Sequence, residues 1–231
     1  MNRTRIDYAD YTWNPVTGCK NDCFYCYARR MSQRFGWSFE PTFHEDRLNE
    51  LQHLKKPSIV FVGSMCDLFG SWVPREWIVA VLAACEMNSQ HQYLFLTKNP
   101  QRYEELFLWQ KKVSPHPNWW LGATFDTANN TSTFRDHLWP LHESGWHTWA
   151  SAEPLLEDIS DYMEWEDTID WLVIGAMTGP GSMEHQPQKA WIETLELLAF
   201  DMGVPIFEKK SLEPVIWMRG CDYPAAMKAE T

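Results

Sequence analysis

Short apolar runs recur along the chain and are separated by stretches in which apolar residues fall at helical intervals. SIVFVG at 58–63 and YLFLT at 93–97 are the clearest runs, and each is bounded by Gly or polar residues. Such runs are typical of parallel strands that are buried on both faces. The predicted strands are residues 11–17, 58–63, 93–97, 119–124, 147–155 and the start of 170–182, with a seventh run at 204–209.

The segments between these runs carry the helical period. Residues 27–35, 73–88 and 189–203 are the strongest predicted helices. Residues 127–145 are also predicted to be helical, and we expect that helix to break at Pro140 because proline cannot donate the helical hydrogen bond.

Strands and helices alternate along the chain, which is typical of a parallel α/β fold. The order predicts an incomplete parallel (β/α)6-type TIM barrel, with a seventh strand at 204–209. We expect one domain over residues 1–231, with a core at about 11–208 and a C-terminal tail at 209–231. Residues 1–10 are polar and are expected to be peripheral.

Charge and composition narrow the class of function. Lys and Arg total 20 and Asp and Glu total 31, so the net charge is −11. This balance argues against broad binding to duplex nucleic acid, although it allows a local basic groove. No apolar run approaches the length of a membrane span, so we expect neither secretion nor a membrane partner. Six cysteines, three of them clustered, favour the cytoplasm over a disulfide scaffold.

Three cysteines in the stretch TGCKNDCFYCYARR, residues 17–30, carry the strongest chemical signal. Cys19, Cys23 and Cys26 have the spacing C-x3-C-x2-C. A [4Fe–4S] cluster is usually held by four cysteines, so three thiolates would leave one iron free of protein ligands. One alternative is a zinc site whose fourth ligand comes from His44 or a distant cysteine. Another is a disulfide with one thiol left over.

The motif Cys19-x3-Cys23-x-Tyr25-Cys26 resembles the signature of the radical S-adenosylmethionine (radical SAM) superfamily. The resemblance implies a [4Fe–4S] cluster, S-adenosylmethionine and an electron donor, of the flavodoxin type or a chemical reductant, which together yield a 5′-deoxyadenosyl radical. The segments WNPVTGC, VGSMCDLF, FLTKNPQR, WLGATF, SAEPLLE and VIGAMTGPG, over roughly residues 11–208, resemble a phage-associated three-cysteine family of unassigned substrate. The run Cys-x-Tyr-Cys-Tyr is also similar to that of spore photoproduct lyases, which repair DNA.

The resemblance also implies which residues serve the cofactor and the reaction. The residues expected to contact S-adenosylmethionine are Phe24 and Tyr25 at adenine, Gly63, Ser64 and Asp67 at the methionine part, Thr124, Ser151 and Glu153 at two strand ends facing the ribose, and Ile174 and Gly175 at adenine. Lys98 directly follows a predicted strand and is a candidate catalytic residue that pairs with a carboxylate or a substrate anion; the alternative is a solvated surface lysine. Cys66 is either a small buried hydrophobe or a thiol that donates a hydrogen atom to a substrate radical.

The substrate expected from the resemblance is a nucleobase in DNA modification or repair, for example an amino-acid-modified thymine that is rearranged. A base inside a duplex must be flipped out, at a cost of about a few kcal/mol, and Arg29, Arg30 and Arg102 are the candidate contacts. One alternative is a radical SAM enzyme, isomerase or lyase, that acts on a free small molecule or a peptide. Another is a noncatalytic iron–sulfur or zinc module that serves a partner protein. If the gene is phage-borne, the compartment is the cytoplasm of the bacterial host.

Overall fold

A computed structural model describes residues 1–109, 114–162 and 168–227. The strands are β1 (Asn2–Arg3), β2 (Tyr11–Trp13), β3 (Val16–Thr17), β4 (Thr42–Phe43), β5 (Ile59–Val62), β6 (Gln92–Thr97), β7 (Trp119–Thr124), β8 (His147–Ala152), β9 (Trp171–Ile174) and β10 (Ile206–Glu208). The main sheet has the order β1-β2-β5-β6-β7-β8-β9-β10, and β3 and β4 form a separate antiparallel pair.

The main sheet confirms the predicted incomplete parallel barrel. Every neighbouring pair from β2 to β10 is parallel, and only β1 joins antiparallel, at the edge of the sheet. The run at 204–209 supplies the seventh parallel strand as β10. Within the described residues β1 and β10 do not pair with each other, so the barrel is open. The carboxyl ends of all seven parallel strands therefore meet at one edge.

The helices lie between the strands, as the alternation predicts. They are α1 (Tyr27–Phe35), α2 (Arg75–Glu86), α3 (Gln101–Tyr103) with a π-helical continuation at Glu104–Leu108, α4 (Ala128–Glu143) and α5 (Lys189–Met202). Short 3₁₀ segments occur at Glu45–His53, Ser160–Tyr162, Ser182–His185, Lys210–Leu212 and Ala225–Met227. None of the helices in the described ranges is long and apolar enough to cross a bilayer.

Two apolar cores lie on opposite faces of the sheet. The larger one joins the strands to helix residues such as Ile78 of α2 and Ile192 of α5. The smaller one contains no residue of α1 to α5 and fills the inside of the barrel. We call its aromatic part the aromatic floor, and it consists of Tyr8, Phe61, Trp120, Trp149, Trp171 and Phe207.

Gly122 on β7 makes room for the central side chain of the floor. A Cβ atom at this position would lie 2.3 Å from the indole of Trp149, far inside van der Waals contact. The indole N–H of Trp149 donates to the carbonyl oxygens of Phe95 and Trp120, at 3.0 and 3.2 Å. This buried Trp therefore has both the space for its ring and the hydrogen-bond acceptors for its N–H.

Residues 11–17 form two strands in different sheets, and the prediction of one strand was wrong there. Asn14 and Pro15 separate β2 from β3, because proline cannot donate a ladder hydrogen bond. The side-chain oxygen of Asn14 instead accepts the backbone N–H of Met65 at 2.9 Å. The chain therefore leaves the barrel at Asn14, directly before the three cysteines.

Two other local predictions were also wrong. Residues 1–10 are not wholly peripheral, because Tyr8 is buried in the aromatic floor and Asn2–Arg3 adds a strand to the sheet. Helix α4 runs through Pro140 without a break. Pro140 lies within the last four residues of the helix, and buried Leu141 beside it holds that last turn on the core.

Candidate active site

The carboxyl ends of the parallel strands open into a cavity of about 700 Å³. Residues that follow five of the strands line it: Asn14, Gly63, Lys98, Glu153 and Lys209. Tyr8 and Phe61 of the aromatic floor form part of its base. Function in α/β barrels gathers at this end, where loops from several strands converge. This cavity is therefore the candidate active site.

The cysteine loop, residues 18–26, begins at a position that only glycine can occupy. Gly18 has φ +87°, and a Cβ atom there would lie 2.3 Å from the carbonyl oxygen of Glu40. Its N–H donates to the carbonyl of Met65 at 3.0 Å, and the N–H of Cys19 donates to the carbonyl of Phe39 at 3.2 Å. The loop is thus attached to two other segments of the chain.

Cys19, Cys23 and Cys26 are free thiols that line one cavity. Cys26 also caps α1, because its Sγ accepts the N–H of Arg29 at 3.4 Å. Across the ranges that the structure describes, no three His, Cys, Asp or Glu side chains surround a single metal position. A single zinc ion gathers its sulfur ligands at about 2.3 Å, whereas the cysteines of a four-iron cluster bind different irons.

Burial raises the pKa of two of these thiols. The pKa of Cys19 rises to about 11, mainly because the thiol is desolvated. Burial also raises the pKa of Cys23, and the nearby Lys98 ammonium opposes that rise. Both groups are therefore protonated at neutral pH without a metal, and metal binding has to displace the protons.

Arg29, which was predicted to contact substrate, instead forms hydrogen bonds with the backbone of the cysteine loop. Its guanidinium donates to the carbonyl oxygens of Cys19 and Asn21, at 3.3 and 3.4 Å. The same group lies 3.7 Å from the carboxylate of Asp22 and 5.2 Å from the ring centre of Phe39. Arg29 is not among the residues that line the cavity.

Asp67 links the cysteine loop to two strand ends. Its buried carboxylate accepts the side-chain N–H of Asn21 at 2.8 Å and the hydroxyl of Thr97 at 2.6 Å. It also accepts the backbone N–H groups of Phe69 and Lys98, at 3.2 and 3.0 Å. Four bonds occupy the accepting capacity of a carboxylate. Asp67 therefore positions its neighbours and offers no free oxygen to a ligand.

Lys98 pairs with a carboxylate, as the sequence predicted, and the partner is Asp126. Nζ of Lys98 lies 2.5 Å from Oδ2 of Asp126, which also accepts the hydroxyl of Tyr25. The side-chain amide of Asn130 donates to the other oxygen at 2.5 Å. Burial and the Asp126 charge raise the pKa of Tyr25, so its phenol stays protonated. The network ties the cysteine loop to the ends of β6 and β7.

A second lysine–carboxylate pair spans the other side of the cavity. Lys209, which follows β10, pairs with Glu153, which follows β8. Nζ of Lys209 also lies 5.6 Å from the ring centre of Tyr8. Gly175 directly follows β9, and a Cβ atom there would lie 3.0 Å from the Glu153 side chain and 3.1 Å from that of Lys209. Gly175 therefore makes room for this pair.

Ser151 presents a buried hydroxyl that has no hydrogen-bond partner among the described residues. The residue lines the cavity beside Thr124, its register neighbour on β7, which lines it too. Buried polar atoms in native proteins are nearly always bonded to protein or to water. An orphaned hydroxyl on a cavity wall therefore fits a ligand with a polar edge.

A family model described as "Protein of unknown function (DUF5131)" matches residues 3–214, which include the whole main sheet except Asn2 and every residue discussed above as lining the cavity. The chain belongs to this family. No curated protein sequence matches the chain.

Solved structures share the fold at low sequence identity. A spore photoproduct lyase variant matches with a TM-score of 0.62 and 10% identity, over 90% of this chain and 78% of that one. Spore photoproduct lyase with bound AdoMet and dinucleoside spore photoproduct matches at 0.55 and 13%, over 85% and 62%. SuiB from Streptococcus suis, bound to precursor peptide SuiA, matches at 0.52 and 13%, over 86% and 48%. Spore photoproduct lyase and SuiB are both radical SAM enzymes.

These proteins share a fold with the chain, but their lengths differ from it. The chain spans less than two thirds of the AdoMet-bound lyase and about half of SuiB. At this level of identity the likeness establishes the fold alone.

Most of the residues predicted from the sequence meet at the cavity. Those that line it are Cys19, Cys23, Tyr25, Cys26, Arg30, Gly63, Ser64, Cys66, Asp67, Lys98, Thr124, Ser151 and Glu153. Those outside its lining are Phe24, Arg29, Arg102, Ile174 and Gly175. Arg102 instead donates to the carbonyl of Val73 at 3.0 Å and pairs with Glu105 at 3.5 Å.

Several residues of the cavity were not predicted from the sequence. Arg3 and Arg5 line it from the N-terminal segment, and Lys209 lines it from the end of β10. Lys209 is the last residue of the predicted run at 204–209, so the attention to strand ends that identified Lys98 could also have found Lys209. Arg3 and Arg5 carry no such signal, because Arg3 lies in a strand of two residues and Arg5 lies outside the strands.

Proposed function

We propose that the chain is a radical SAM enzyme whose active site is the cavity at the carboxyl ends of the parallel strands. Three free thiols in one loop, all lining a cavity of about 700 Å³, are the observation that carries this proposal. That volume suits a nucleoside-sized cofactor beside a small substrate group.

Cys19, Cys23 and Cys26 would hold a [4Fe–4S] cluster. When bound, the cluster supplies the electron that cleaves the sulfonium of S-adenosylmethionine and yields a 5′-deoxyadenosyl radical. The residues fit such a group: the three thiols are unpaired, they share one wall, and Arg29 and Asp67 fix the loop from two sides. A flavodoxin-type protein or a chemical reductant would supply the electron.

The chain's own residues would orient S-adenosylmethionine and exclude water. The orphaned hydroxyl of Ser151, with Thr124 beside it, offers hydrogen bonds to a ribose or an amino-acid group. Below them, Tyr8 and Phe61 close the base of the cavity with apolar surface. An enzyme that makes a reactive radical needs such a shielded base to prevent side reactions.

Cys66 would serve as a hydrogen-atom donor to a substrate radical. It lines the cavity, and burial followed by the nearby Asp67 charge raises the pKa of its thiol well above the ordinary value. The thiol therefore keeps its proton, which is the form that can donate a hydrogen atom. Lys98 and Asp67 are instead positioning residues in this proposal.

The proposed substrate is a nucleobase in DNA modification or repair, for example an amino-acid-modified thymine that the enzyme rearranges in a phage-infected bacterium. Arg3, Arg5 and Arg30 line the cavity, and none of them has a carboxylate within 4.0 Å among the described residues. Unpaired arginines suit the phosphates of a polynucleotide. A solved neighbour binds a dinucleoside photoproduct together with AdoMet, which supports this choice.

A peptide is the second candidate substrate. SuiB, whose structure was solved with a precursor peptide, has the same fold. The unpaired arginines favour a polyanion over a peptide of ordinary charge, so we place the peptide second.

The test is hydrogen transfer from substrate to cofactor. Anaerobically reconstituted protein is mixed with S-adenosylmethionine, dithionite and oligonucleotides that carry deuterated, amino-acid-modified thymine. The proposal predicts deuterium in 5′-deoxyadenosine, detected by mass spectrometry, and none with unlabelled oligonucleotide. Unlabelled 5′-deoxyadenosine with every nucleic acid, and labelled product with a deuterated peptide, would favour the second candidate.

A further inference from the structure

Helix α1 reverses the usual arrangement of a surface helix. Its small residues Ala28 and Ser32 face the protein and are each 3% exposed. Its large apolar residues Tyr27, Met31 and Phe35 are 49%, 37% and 54% exposed, and the hydroxyl of Tyr27 donates to the carbonyl oxygen of Ser64 at 2.6 Å. A helix that serves only the core turns its large apolar side chains inward. Large apolar side chains exposed together mark an interaction surface.

These side chains form a continuous stripe. Tyr27, Met31 and Phe35 follow one another at intervals of four residues, which places them along one side of the helix. The stripe ends at Trp37, whose indole stacks on Phe35 with ring centres 5.1 Å apart. At its other end Tyr27 and Met31 line the cavity. The surface therefore leads from solvent into the candidate active site.

The stripe is flanked by positive charge in an otherwise acidic chain. Helix α1 contains three arginines and no acidic residue, although the chain has a net charge of −11. Arg34 lies 5.5 Å from the ring centre of Phe35, and Arg30 lines the cavity beside Met31. Among the described residues neither arginine has a carboxylate within 4.0 Å.

We propose that this face of α1 is a docking platform for single-stranded nucleic acid, which it leads toward the cavity. Exposed ring faces alternating with arginines are the combination by which proteins bind unpaired bases and their phosphates. Duplex DNA keeps its base faces stacked and hidden, so only a single strand or an extruded segment could use the rings. A nine-residue helix is about 13 Å long, which matches roughly four stacked nucleotides.

An acidic electron-donor protein is the main alternative occupant. Cys26, one of the proposed cluster ligands, caps the start of α1, so a donor that approaches the cluster would come close to this helix. Such a donor needs only to approach the cysteines. It does not need a stripe that continues into the cavity or a stacked Phe35–Trp37 pair half exposed to solvent. The observed continuity therefore favours an occupant that reaches the cavity itself.

The test is oligonucleotide binding by the full chain, measured by fluorescence anisotropy. The probes are a fluorescein-labelled oligothymidylate of about 12 nucleotides, which exceeds the platform and leaves ends free, and the same strand annealed to oligoadenylate. The variants are Phe35→Ala with Trp37→Ala, and Arg30→Gln with Arg34→Gln. The controls are Phe200→Ala, an exposed aromatic residue on α5, and Lys56→Gln, an exposed cation.

The platform predicts that the wild-type chain prefers the single strand. Loss of both rings should weaken binding at least about tenfold, while the controls stay within about twofold. Loss of both arginines should make the slope of log K against log salt concentration less negative by about 1.4, where K is the association constant. Equal binding by all forms, or a preference for the duplex that the variants keep, would overturn the proposal. The proposal would also be overturned if no form bound oligonucleotide and the aromatic variant lost binding to an acidic flavodoxin that the wild-type chain binds.

This inference rests on the proposed function, but the two can fail separately. Binding is measured without S-adenosylmethionine and without reductant. Failure to cleave S-adenosylmethionine alongside ring-dependent strand binding would contradict only the radical chemistry. Cleavage alongside strand binding that ignores the rings would contradict only the platform.

Discussion

The two ends of the barrel are built from the same strands and have opposite properties. Strand β8 and the residue after it show the contrast: Trp149 packs in the aromatic floor, Ser151 lines the cavity and has an orphaned hydroxyl, and Glu153 pairs across the cavity with Lys209. The floor is a tightly packed set of rings whose one central indole N–H is fully bonded. The cavity end holds thiols, lysine–carboxylate pairs and unpaired arginines.

Because of this difference, substitutions at the two ends should affect different properties of the protein. Side chains of the floor exclude water and fill space, so their substitution should change the free energy of unfolding. Side chains of the cavity end mostly position one another around open space, so their substitution should change what the protein binds. The predictions that follow test this division.

Cys23→Ser should give the largest effect, a complete loss of the iron–sulfur cluster after reconstitution, while the metal-free variant and the metal-free wild type should melt at nearly the same temperature. The serine hydroxyl is a poor ligand for iron in a cluster held by thiolates. Iron and sulfide content and circular dichroism are the measurements. Cys221→Ser, at an exposed thiol away from the cavity, should keep the cluster. Retained iron in Cys23→Ser would contradict the ligand assignment.

Asp126→Asn should lower stability although it lies at the cavity end, because buried Asp126 pairs with Lys98, which lines the cavity. It leaves the mostly buried ammonium of Lys98 without its counter-ion, which we expect to cost about 3 kcal/mol of unfolding free energy. Urea denaturation measures the change. Glu193→Gln, which breaks the exposed Lys189–Glu193 pair, should cost no more than about 0.5 kcal/mol. Equal effects of the two changes would show that the buried pair contributes nothing special.

Gly122→Ala should destabilise the floor by about 1–3 kcal/mol, because the added methyl group would collide with the Trp149 indole. The cluster content should not change. Gly220→Ala is the matched control, since its Cβ would meet no heavy atom closer than 3.7 Å. Urea denaturation measures the free energy of unfolding of both variants. The comparison requires that the slope of this free energy against urea concentration is the same for both. A stable Gly122→Ala variant would show that the floor is loosely packed.

Glu208, which lies on β10 outside the cavity, should make the stability of the fold depend on pH. Burial, followed by a hydrogen bond with Glu196, raises the pKa of Glu208 from 4.5 to about 7. Between these values the folded state holds a proton that the unfolded state releases, so stability falls as pH rises through that window. Glu208→Gln should therefore melt higher than wild type at pH 8 and similarly at about pH 4. Equal pH profiles would show that Glu208 is not protonated in the folded protein.

Much of the fold follows from local sequence, because buried parallel strands read as continuous apolar runs. The runs at 93–97 and 119–124 coincide with β6 and β7 to within a residue. Helix α1 has the predicted bounds because Cys26 caps its start and Gly36, with φ 67°, ends it. Both signals lie within a few residues of the feature that they determine.

The rest depends on contacts between distant parts of the chain. Tyr25 meets Asp126 across 101 residues, and no pattern along the sequence announces that pair. The N-terminal segment looks polar and aperiodic, yet Tyr8 packs in the floor and Arg3 lines the cavity. The outward stripe of α1 has the period of an ordinary core helix, and only the packing of Ala28 shows which side faces the protein.

The most direct test of the central claim is 5′-deoxyadenosine formation by the anaerobically reconstituted chain, given S-adenosylmethionine and dithionite. We expect a product that requires the reductant and disappears in the Cys19→Ser, Cys23→Ser and Cys26→Ser variants. A full four-iron cluster without cleavage, even with candidate substrates, would indicate a noncatalytic iron–sulfur module. Zinc binding with no cluster at all would contradict the account at its foundation.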